Sequence, residues 1–218
     1  NGAFRDPSSM LLPAGTMMVA PVFPASNNLT VIYDPVANTW STGPAYLRSQ
    51  NEATWVKLPD DSILTVDKSS TQSERFIPSL NRWINDANVP VTLYGAGAEL
   101  GGALLLPDGR AFFIGGNGNT AFYTPSGTTN LGSWAAGPDL PNGQACPDAP
   151  AAMLVDGKVL IATSAIGNST NVFPTPTSFY EYDPVANAYS RQNSPTGGLT
   201  ENMPCYKATM LALPDGKV

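Results

Sequence analysis

The side chains best suited to chemistry are acidic, and they stand just before recurring apolar segments. Four such acids are present: Glu52, Glu99, Asp148 and Glu201. Their polar neighbours are Arg48, Gln50, Asn51 and Asn202. Loops on a rigid scaffold commonly carry binding groups, so these eight residues are candidate ligand-binding residues at an acidic rim. The alternative is a solvated edge that binds nothing.

Other chemistry is poorly supported by the residue types. A Ca²⁺ site takes six to eight oxygen ligands, and no Asp-rich calcium loop is present, so we assign no metal site. Two carboxylates about 5–5.5 Å or 6.5–9.5 Å apart can hydrolyse a glycosidic bond, but the sequence does not give their separation. The chain has no histidine, so by itself it forms neither a Ser-His-Asp triad nor a His-based zinc site.

The two cysteines hold equivalent places in the sequence. Cys146 and Cys205 each lie eight residues before a leucine that begins a similar turn, Leu154 and Leu213. A disulfide needs Cα atoms within about 7 Å, which neighbouring strands reach only if their loops lean together. Three alternatives stay open: a disulfide between them, free buried thiols, or bonding to a part of the protein outside this chain.

A repeated hairpin positions these residues. The segment 104–116 contains an apolar strand, a Pro-Asp-Gly turn, a second apolar strand and a diglycine. Asp-Gly between two β-rich runs favours a tight hairpin. Similar turns begin at Leu12, Leu58, Leu154 and Leu213, so the unit recurs about every 50 residues, a period that predicts a β-propeller.

Composition supports an all-β protein. The chain has 218 residues with 20 Gly and 21 Pro, and only 13% are charged, while β-branched and aromatic residues stand between turn formers. A net charge of −6 disfavours a nucleic-acid partner, and no apolar run approaches the roughly 18 residues of a membrane span. The acidic, Asn/Ser/Thr/Gly-rich composition suits an extracellular or cell-surface protein. Asn28 and Asn168 begin formal N-glycosylation sequons.

We predict one propeller domain over residues 1–218. Its four-stranded antiparallel blades are expected at about 8–44, 51–90, 100–141 and 148–195, with a partial fifth at 206–218. No blade can bury both faces alone, so recurring aromatic residues should be wedges between neighbours; on the fourth strands these are Trp40, Trp83, Trp134 and Tyr189. Propellers use about four to eight blades, so we expect the ring to be completed by further chain or by a second chain.

The repeats resemble the kelch family. The resemblance is carried by a diglycine after the second strand (Gly115-Gly116), a third-strand tyrosine and a fourth-strand tryptophan. Asp-Pro-Val-Ala-Asn also occurs twice, at 34–38 and 183–187. The resemblance implies a kelch-type β-propeller, although the diglycine is intact only at Gly115-Gly116.

The chain is also distantly similar to galactose oxidase and glyoxal oxidase, which are kelch propellers with a copper-radical site. In that family a Cys before one inner strand is thioether-linked to a Tyr before the inner strand of the next blade. Cys146 and Tyr206 match that placement, so the resemblance implies copper as an alternative cofactor. The copper ligands of that family also include two histidines and a second tyrosine, which lie well downstream, and this sequence has no histidine. Cys146 also lies in a later repeat than the family would place it.

Two functions follow. The favoured interpretation is a secreted or cell-surface propeller, with no cofactor and no catalytic residue, that binds a protein or glycan or serves as a structural scaffold through its long-loop face. The alternative is a secreted copper-radical oxidase acting on carbohydrates or aldehydes, with its copper ligands outside this chain.

Overall fold

Four antiparallel sheets follow one another along the chain in the computed structural model, which describes residues 7–21 and 28–218. The first sheet consists of β1 (Ser8–Leu11), β2 (Met17–Ala20), β3 (Leu29–Asp34) and β4 (Thr39–Ala45). The second consists of β5 (Val56–Lys57), β6 (Ile63–Val66), β7 (Ser73–Ile77) and β8 (Arg82–Asn85). The third consists of β9 (Leu100–Leu105), β10 (Ala111–Gly115), β11 (Thr120–Thr124) and β12 (Ser133–Ala136).

The fourth sheet has the same core with two additions. It consists of β13 (Gln144–Ala145), β14 (Ala151–Met153), β15 (Val159–Ala165), β16 (Thr177–Asp183), β17 (Ala188–Gln192) and β18 (Thr200–Glu201). β13 and β14 both pair with β15, and β18 pairs with β16. In each sheet the successive main strands pair in order, so the prediction of four-stranded antiparallel blades is confirmed.

Helical structure is confined to short 3₁₀ turns in the described part of the chain. These are Pro78–Leu80, Ala96–Ala98, Pro141–Gly143 and Cys205–Lys207. None of the helices among residues 7–21 and 28–218 is long and apolar enough to cross a membrane.

The predicted turn closes the first hairpin of every sheet. In the second sheet Leu58 N donates to Ser62 O at 2.8 Å and Asp61 N donates to Leu58 O at 2.9 Å. A left-handed residue makes this turn possible, such as Gly109 with φ 85° in the third sheet. A fifth copy forms at Leu213, which donates to Lys217 O at 2.8 Å. Residues 208–218 contain no strand, so the expected fifth hairpin is present only as its turn.

Three apolar clusters lie between neighbouring sheets. Met18, Ile63 and Trp83 belong to the cluster between the first and second sheets. Val56, Phe113 and Tyr123 belong to the one between the second and third, and Phe112, Ile161 and Tyr182 to the one between the third and fourth. Since each sheet shares its core with its neighbour, the sheets stack face to face as propeller blades do.

A buried polar network also joins the second and third sheets. Arg75 is fully buried, and its Nε donates to Asp86 Oδ2 at 2.7 Å. Tyr123 donates its hydroxyl to the same oxygen at 2.9 Å. The guanidinium also donates to the carbonyls of Thr128 and Asn130, which precede β12. The charge of Asp86 is therefore shared by both sheets.

The predicted aromatic wedges are found between the sheets, except for the one in the first sheet. Trp83 is 4% exposed, and Trp134 packs edge-on against Tyr123 with ring centroids 5.0 Å apart. Trp40, in contrast, is 54% exposed, so its prediction as a buried wedge was wrong. It lies on β4 of the first sheet, which has a described neighbouring sheet on one side only. Its ring packs on Tyr33, with 4.9 Å between the ring centroids.

Candidate functional site

Three inner strands begin beside one another and bring three acids together. Glu52 precedes β5, Glu99 directly precedes β9, and Asp148 precedes β14. One carboxylate oxygen of each lies within 4.8 Å of the others. We call Glu52, Glu99 and Asp148 the acidic cluster.

Hydrogen bonds connect each inner strand to the next at this end. Ser8 Oγ donates to Ala53 O at 2.5 Å, and Thr54 Oγ1 donates to Gly101 O at 2.7 Å. Asp148 N donates to Leu100 O at 2.8 Å. The acidic cluster is therefore held on a continuous wall that crosses all four sheets.

Local backbone geometry fixes the orientation of the three acids. Glu52 and Asp148 adopt left-handed φ values of 59° and 48°, which Asp tolerates better than most residues. Asn51 Nδ2 donates to Glu52 Oε1 at 3.0 Å. Glu99 is held through its backbone, because its carbonyl accepts from Gly95 N at 2.8 Å.

The diglycine after β10 has a role at this site. A Cβ on Gly116 would lie 2.2 Å from the carbonyl oxygen of Glu99. Only glycine permits this close approach. The kelch-like Gly115-Gly116 therefore allows the Glu99 loop to lie against the end of β10.

Two residues of the acidic cluster, Glu52 and Asp148, line a cleft of about 380 Å³. Every repeat contributes to its wall: the lining includes Ser8, Thr54, Gly102, Pro150 and Ala208. The propeller hypothesis predicts the mouth of the central channel at this position.

Glu99 is the most perturbed acid of the cluster. Burial raises its pKa to about 8, and the carboxylates of Glu52 and Asp148 add to the effect, while Lys68 opposes it. Its Oε2 atom is buried and has no hydrogen-bond partner in the described part of the chain. Near neutral pH, the Glu99 carboxyl group therefore either remains protonated or is stabilised in its ionised form by a nearby cation.

Three carboxylate oxygens suit a hard cation. Ca²⁺, Mg²⁺ and Mn²⁺ prefer carboxylate, carbonyl and water ligands. The acidic cluster would supply three of the ligands, and waters or carbonyls the rest. Alternatively, a ligand with an ammonium or guanidinium group would meet the same charges.

Two of the predicted rim residues serve the fold instead. Arg48 donates from Nε to Gln72 Oε1 at 2.9 Å and from Nη2 to Asn85 Oδ1 at 2.6 Å. Gln50 is 2% exposed and is hydrogen-bonded to Glu74 and Trp55. Both side chains tie the segment before β5 to the second sheet.

The fourth predicted acid does not join the acidic cluster. Glu201 lies on β18, where its Oε1 accepts from Thr196 N at 3.1 Å and from Thr196 Oγ1 at 2.7 Å. These hydrogen bonds lower its pKa. Asn202 beside it is exposed. Glu201 thereby holds the loop between β17 and β18.

The cysteines are free and buried, which is the second of the three alternatives. Burial raises the pKa of the Cys146 thiol to about 12 and also raises that of Cys205. Cys205 Sγ lies 3.5 Å from Pro147 O, so the segment 146–147 contacts the segment 205–206. The Tyr206 ring is 41% exposed and packs against Phe173 at 4.6 Å between ring centroids.

The asparagine of each sequon is exposed, whereas Thr30 of the first sequon is buried in β3. Asn28 is exposed with φ 50°. Asn168 is exposed, and its Oδ1 accepts from Thr170 N at 2.9 Å and from Thr170 Oγ1 at 2.7 Å. Glycosylation of these residues stays a prediction.

The sequence analysis missed Glu74. It stands beside Arg75 in the five-residue strand β7, and two adjacent charged residues predict exposed side chains. It is instead 1% exposed, and burial raises its pKa to about 7. No local signal identifies it, because its partners come from the segment 47–50 of the preceding connection.

Comparisons with known proteins give the fold and no family. No family model matches the chain, and no curated protein sequence matches it. A solved structure similar to it is a fungal alcohol oxidase of the AA5 family in complex with copper, with a TM-score of 0.64 and 14% identity. The match covers 94% of this chain and 45% of the oxidase, so the chain spans less than half of that protein's length. The likeness supports the propeller architecture, while the kelch subtype stays a prediction.

Proposed function

We propose that this chain is the propeller part of an extracellular oxidase of the galactose and glyoxal oxidase type. The observation that carries the proposal is the fold shared with a copper-bound alcohol oxidase over 94% of the chain. This favours the oxidase over the binding module that the sequence suggested first. The substrates would be primary alcohols, carbohydrates or aldehydes, and the protein would be secreted.

Contact between two segments gives secondary support. The thiol of Cys205 touches the carbonyl of Pro147, so Cys146 and Tyr206 lie in touching segments. Cys146 Sγ is directed to Ala149 O at 3.4 Å, and the Tyr206 ring rests on Phe173. A thioether between Cys146 and Tyr206 therefore requires one of these side chains to turn.

Copper does not fit the residues of this chain alone. Copper(II) favours imidazole ligands, and the 218 residues contain no histidine. The acidic cluster offers three hard carboxylates instead. Any copper imidazoles would come from outside this chain, and no chemical step is assigned to its residues.

Peptide mass spectrometry of the full-length protein, purified with copper, tests the oxidase proposal. A non-reducible link between the peptides of Cys146 and Tyr206, with loss of two hydrogen atoms, is the expected result. Tyr206→Phe should abolish the link and the oxidation of a primary alcohol, while Tyr94→Phe should keep both. Separate, unlinked peptides together with no oxidation of any alcohol or aldehyde tested would refute the proposal.

A second function is favoured by the acidic cluster itself. Three converging carboxylates and the unpartnered Oε2 of Glu99 support binding of a divalent cation at the acidic cluster. Such a site would serve the binding-module interpretation, in which the long-loop face takes a protein or glycan.

Calorimetric titration with Ca²⁺, Mg²⁺ and Mn²⁺ tests the second function. We expect saturable binding that Glu99→Gln weakens at least about tenfold, since one ligand and its charge are lost. Glu201→Gln is the matched control and should bind as the wild type does. Equal affinity in all three proteins would assign any binding to another part of the surface.

A further inference from the structure

Glu74 carries a buried carboxylate on β7 that is surrounded by hydrogen-bond donors. It is 1% exposed. Leu47 N donates to its Oε2 at 2.8 Å, and the Gln50 side-chain amide donates to its Oε1. Arg48 Nη1 lies 3.9 Å from Oε2. All of these donors belong to the segment 46–52, which connects the first sheet to the second.

A second hydrogen bond extends this contact to a tryptophan. Gln50 Oε1 accepts from Trp55 Nε1 at 2.7 Å, and Trp55 is 8% exposed. The Gln50 amide nitrogen also approaches Arg48 O at 3.3 Å. The amide of Gln50 is thus used on both sides, and its orientation is fixed by two buried partners.

Charges around Glu74 act in opposite directions. Burial is the largest effect on its pKa and Asp67 adds to it, whereas the Leu47 amide and Arg48 oppose it. Tyr46 also faces Glu74. Burial is the larger cause of the raised pKa of the Tyr46 phenol, and the Glu74 carboxylate adds to it. The net result is a carboxyl group that changes charge near neutral pH, at about 7.

We propose that Glu74 is a proton-controlled latch that holds the segment 46–52 when ionised and releases it when protonated. The reason is the set of donors around it. A proton on Oε1 would face the Gln50 amide N–H, and a proton on Oε2 would face Leu47 N–H and Arg48. Turning the Gln50 amide offers its oxygen to the proton but directs its N–H groups at the indole N–H of Trp55. Adding one proton therefore breaks one buried hydrogen bond.

The latch acts on the mouth of the cleft. Glu52 follows Gln50 by two residues, and its carboxylate belongs to the acidic cluster. Release of the segment would change the position of Glu52 relative to Glu99. Glu74 is therefore a positioning residue for the cleft, whichever ligand the cleft takes.

Heteronuclear NMR of the tryptophan indole N–H groups tests the latch, with Trp55 assigned from Trp55→Phe. In the wild type, the Trp55 resonance should titrate with a midpoint of about 7, matching the pKa of Glu74. Glu74→Gln should remove this titration, and Gln50→Ala should remove it as well because the relay is cut. Glu201→Gln should retain it.

Two outcomes would overturn the latch. One is a Trp55 indole resonance that does not titrate in the wild type between about pH 5 and 9, the range around the expected midpoint. The other is a titration that persists in Gln50→Ala, since the tryptophan would then sense another group. Absence of titration in the wild type overturns the latch even if a variant fails to fold.

Discussion

At the scale of single residues, the surroundings of a glutamate shift its pKa in either direction. Glu99 is half-buried beside two other carboxylates, and its pKa rises to about 8. Glu201 is hydrogen-bonded by Thr196, and its pKa falls. Both are glutamates just before or within a strand, so residue type and spacing alone do not separate them. The contacts made by each carboxylate decide which one is poised to bind a cation.

Replacement of Glu99 should change how stability depends on pH. The folded pKa of about 8 lies above the unfolded value of 4.5, so the folded state holds the proton more tightly. Its stabilising effect is complete below the unfolded pKa and is lost as the pH rises through the folded pKa. Glu99→Gln should therefore gain stability relative to the wild type as the pH rises from about 4.5 to about 8, with no further gain above that range. Urea unfolding at several pH values measures this.

The control for that prediction is Glu201, a glutamate whose pKa is shifted in the opposite direction. Because the folded pKa of Glu201 is lowered, its stabilising effect is present above the unfolded pKa and lost at lower pH. Glu201→Gln should therefore show no relative gain as the pH rises through neutrality. A Glu99→Gln protein with the same pH profile as the wild type would show that Glu99 is not perturbed.

At the scale of elements, neighbouring sheets are joined by polar as well as apolar contacts. Asp86 follows β8 and accepts hydrogen bonds from Arg75 on β7 and Tyr123 on β11. It also accepts from Gly132 N at 3.0 Å, just before β12. One buried carboxylate thereby fixes the second and third sheets relative to each other. Such a network specifies a single arrangement when all its members are satisfied.

Removal of Asp86 should be strongly destabilising. Asp86→Ala leaves the fully buried Arg75 without its closest anion, and breaking a buried pair on one side costs about 3–5 kcal/mol. The control is Lys57→Ala, which removes a largely solvent-accessible ion pair with Asp61 at 2.8 Å that is worth less than about 1 kcal/mol. Chemical denaturation compares them. Equal losses of stability would contradict the proposed importance of burial.

At the scale of the whole molecule, the sheets form an array in which each contacts its neighbours. The three apolar clusters lie between successive sheets. A fourth-strand aromatic side chain is therefore buried only where its sheet packs against a neighbouring sheet on that face. Trp83 lies between two described sheets and is buried, whereas Trp40 lies on the first sheet and is exposed. Position in the array therefore decides what the same repeat residue contributes.

Equivalent tryptophans should differ in their effect on stability. Trp83→Ala removes a buried ring from the cluster between the first and second sheets and should cost about 3–5 kcal/mol. Trp40→Ala removes a half-exposed ring and should cost less than about 1 kcal/mol. Thermal or urea unfolding of both variants measures the difference. A Trp83→Ala protein that unfolds with the wild type would refute the wedge role.

The sequence by itself determined the repeat and its local structure. The spacing of the Leu-Pro-Asp-Gly turns located the hairpins, because a left-handed turn residue and flanking apolar runs are local properties. It also indicated the strand order, the buried Trp83, the partly buried Trp134, and the acids that approach the cleft. These conclusions depend on residues close together in the chain.

Only the tertiary structure decided which residues meet. It brought Glu52, Glu99 and Asp148 within 4.8 Å, left Glu201 outside that cluster, and turned Arg48 and Gln50 inward. It also left Cys146 and Cys205 as free thiols and buried Glu74, which nothing in its strand predicts. The physical reason is that burial and charge coupling depend on the residues of neighbouring sheets, whose separation in sequence is about one repeat.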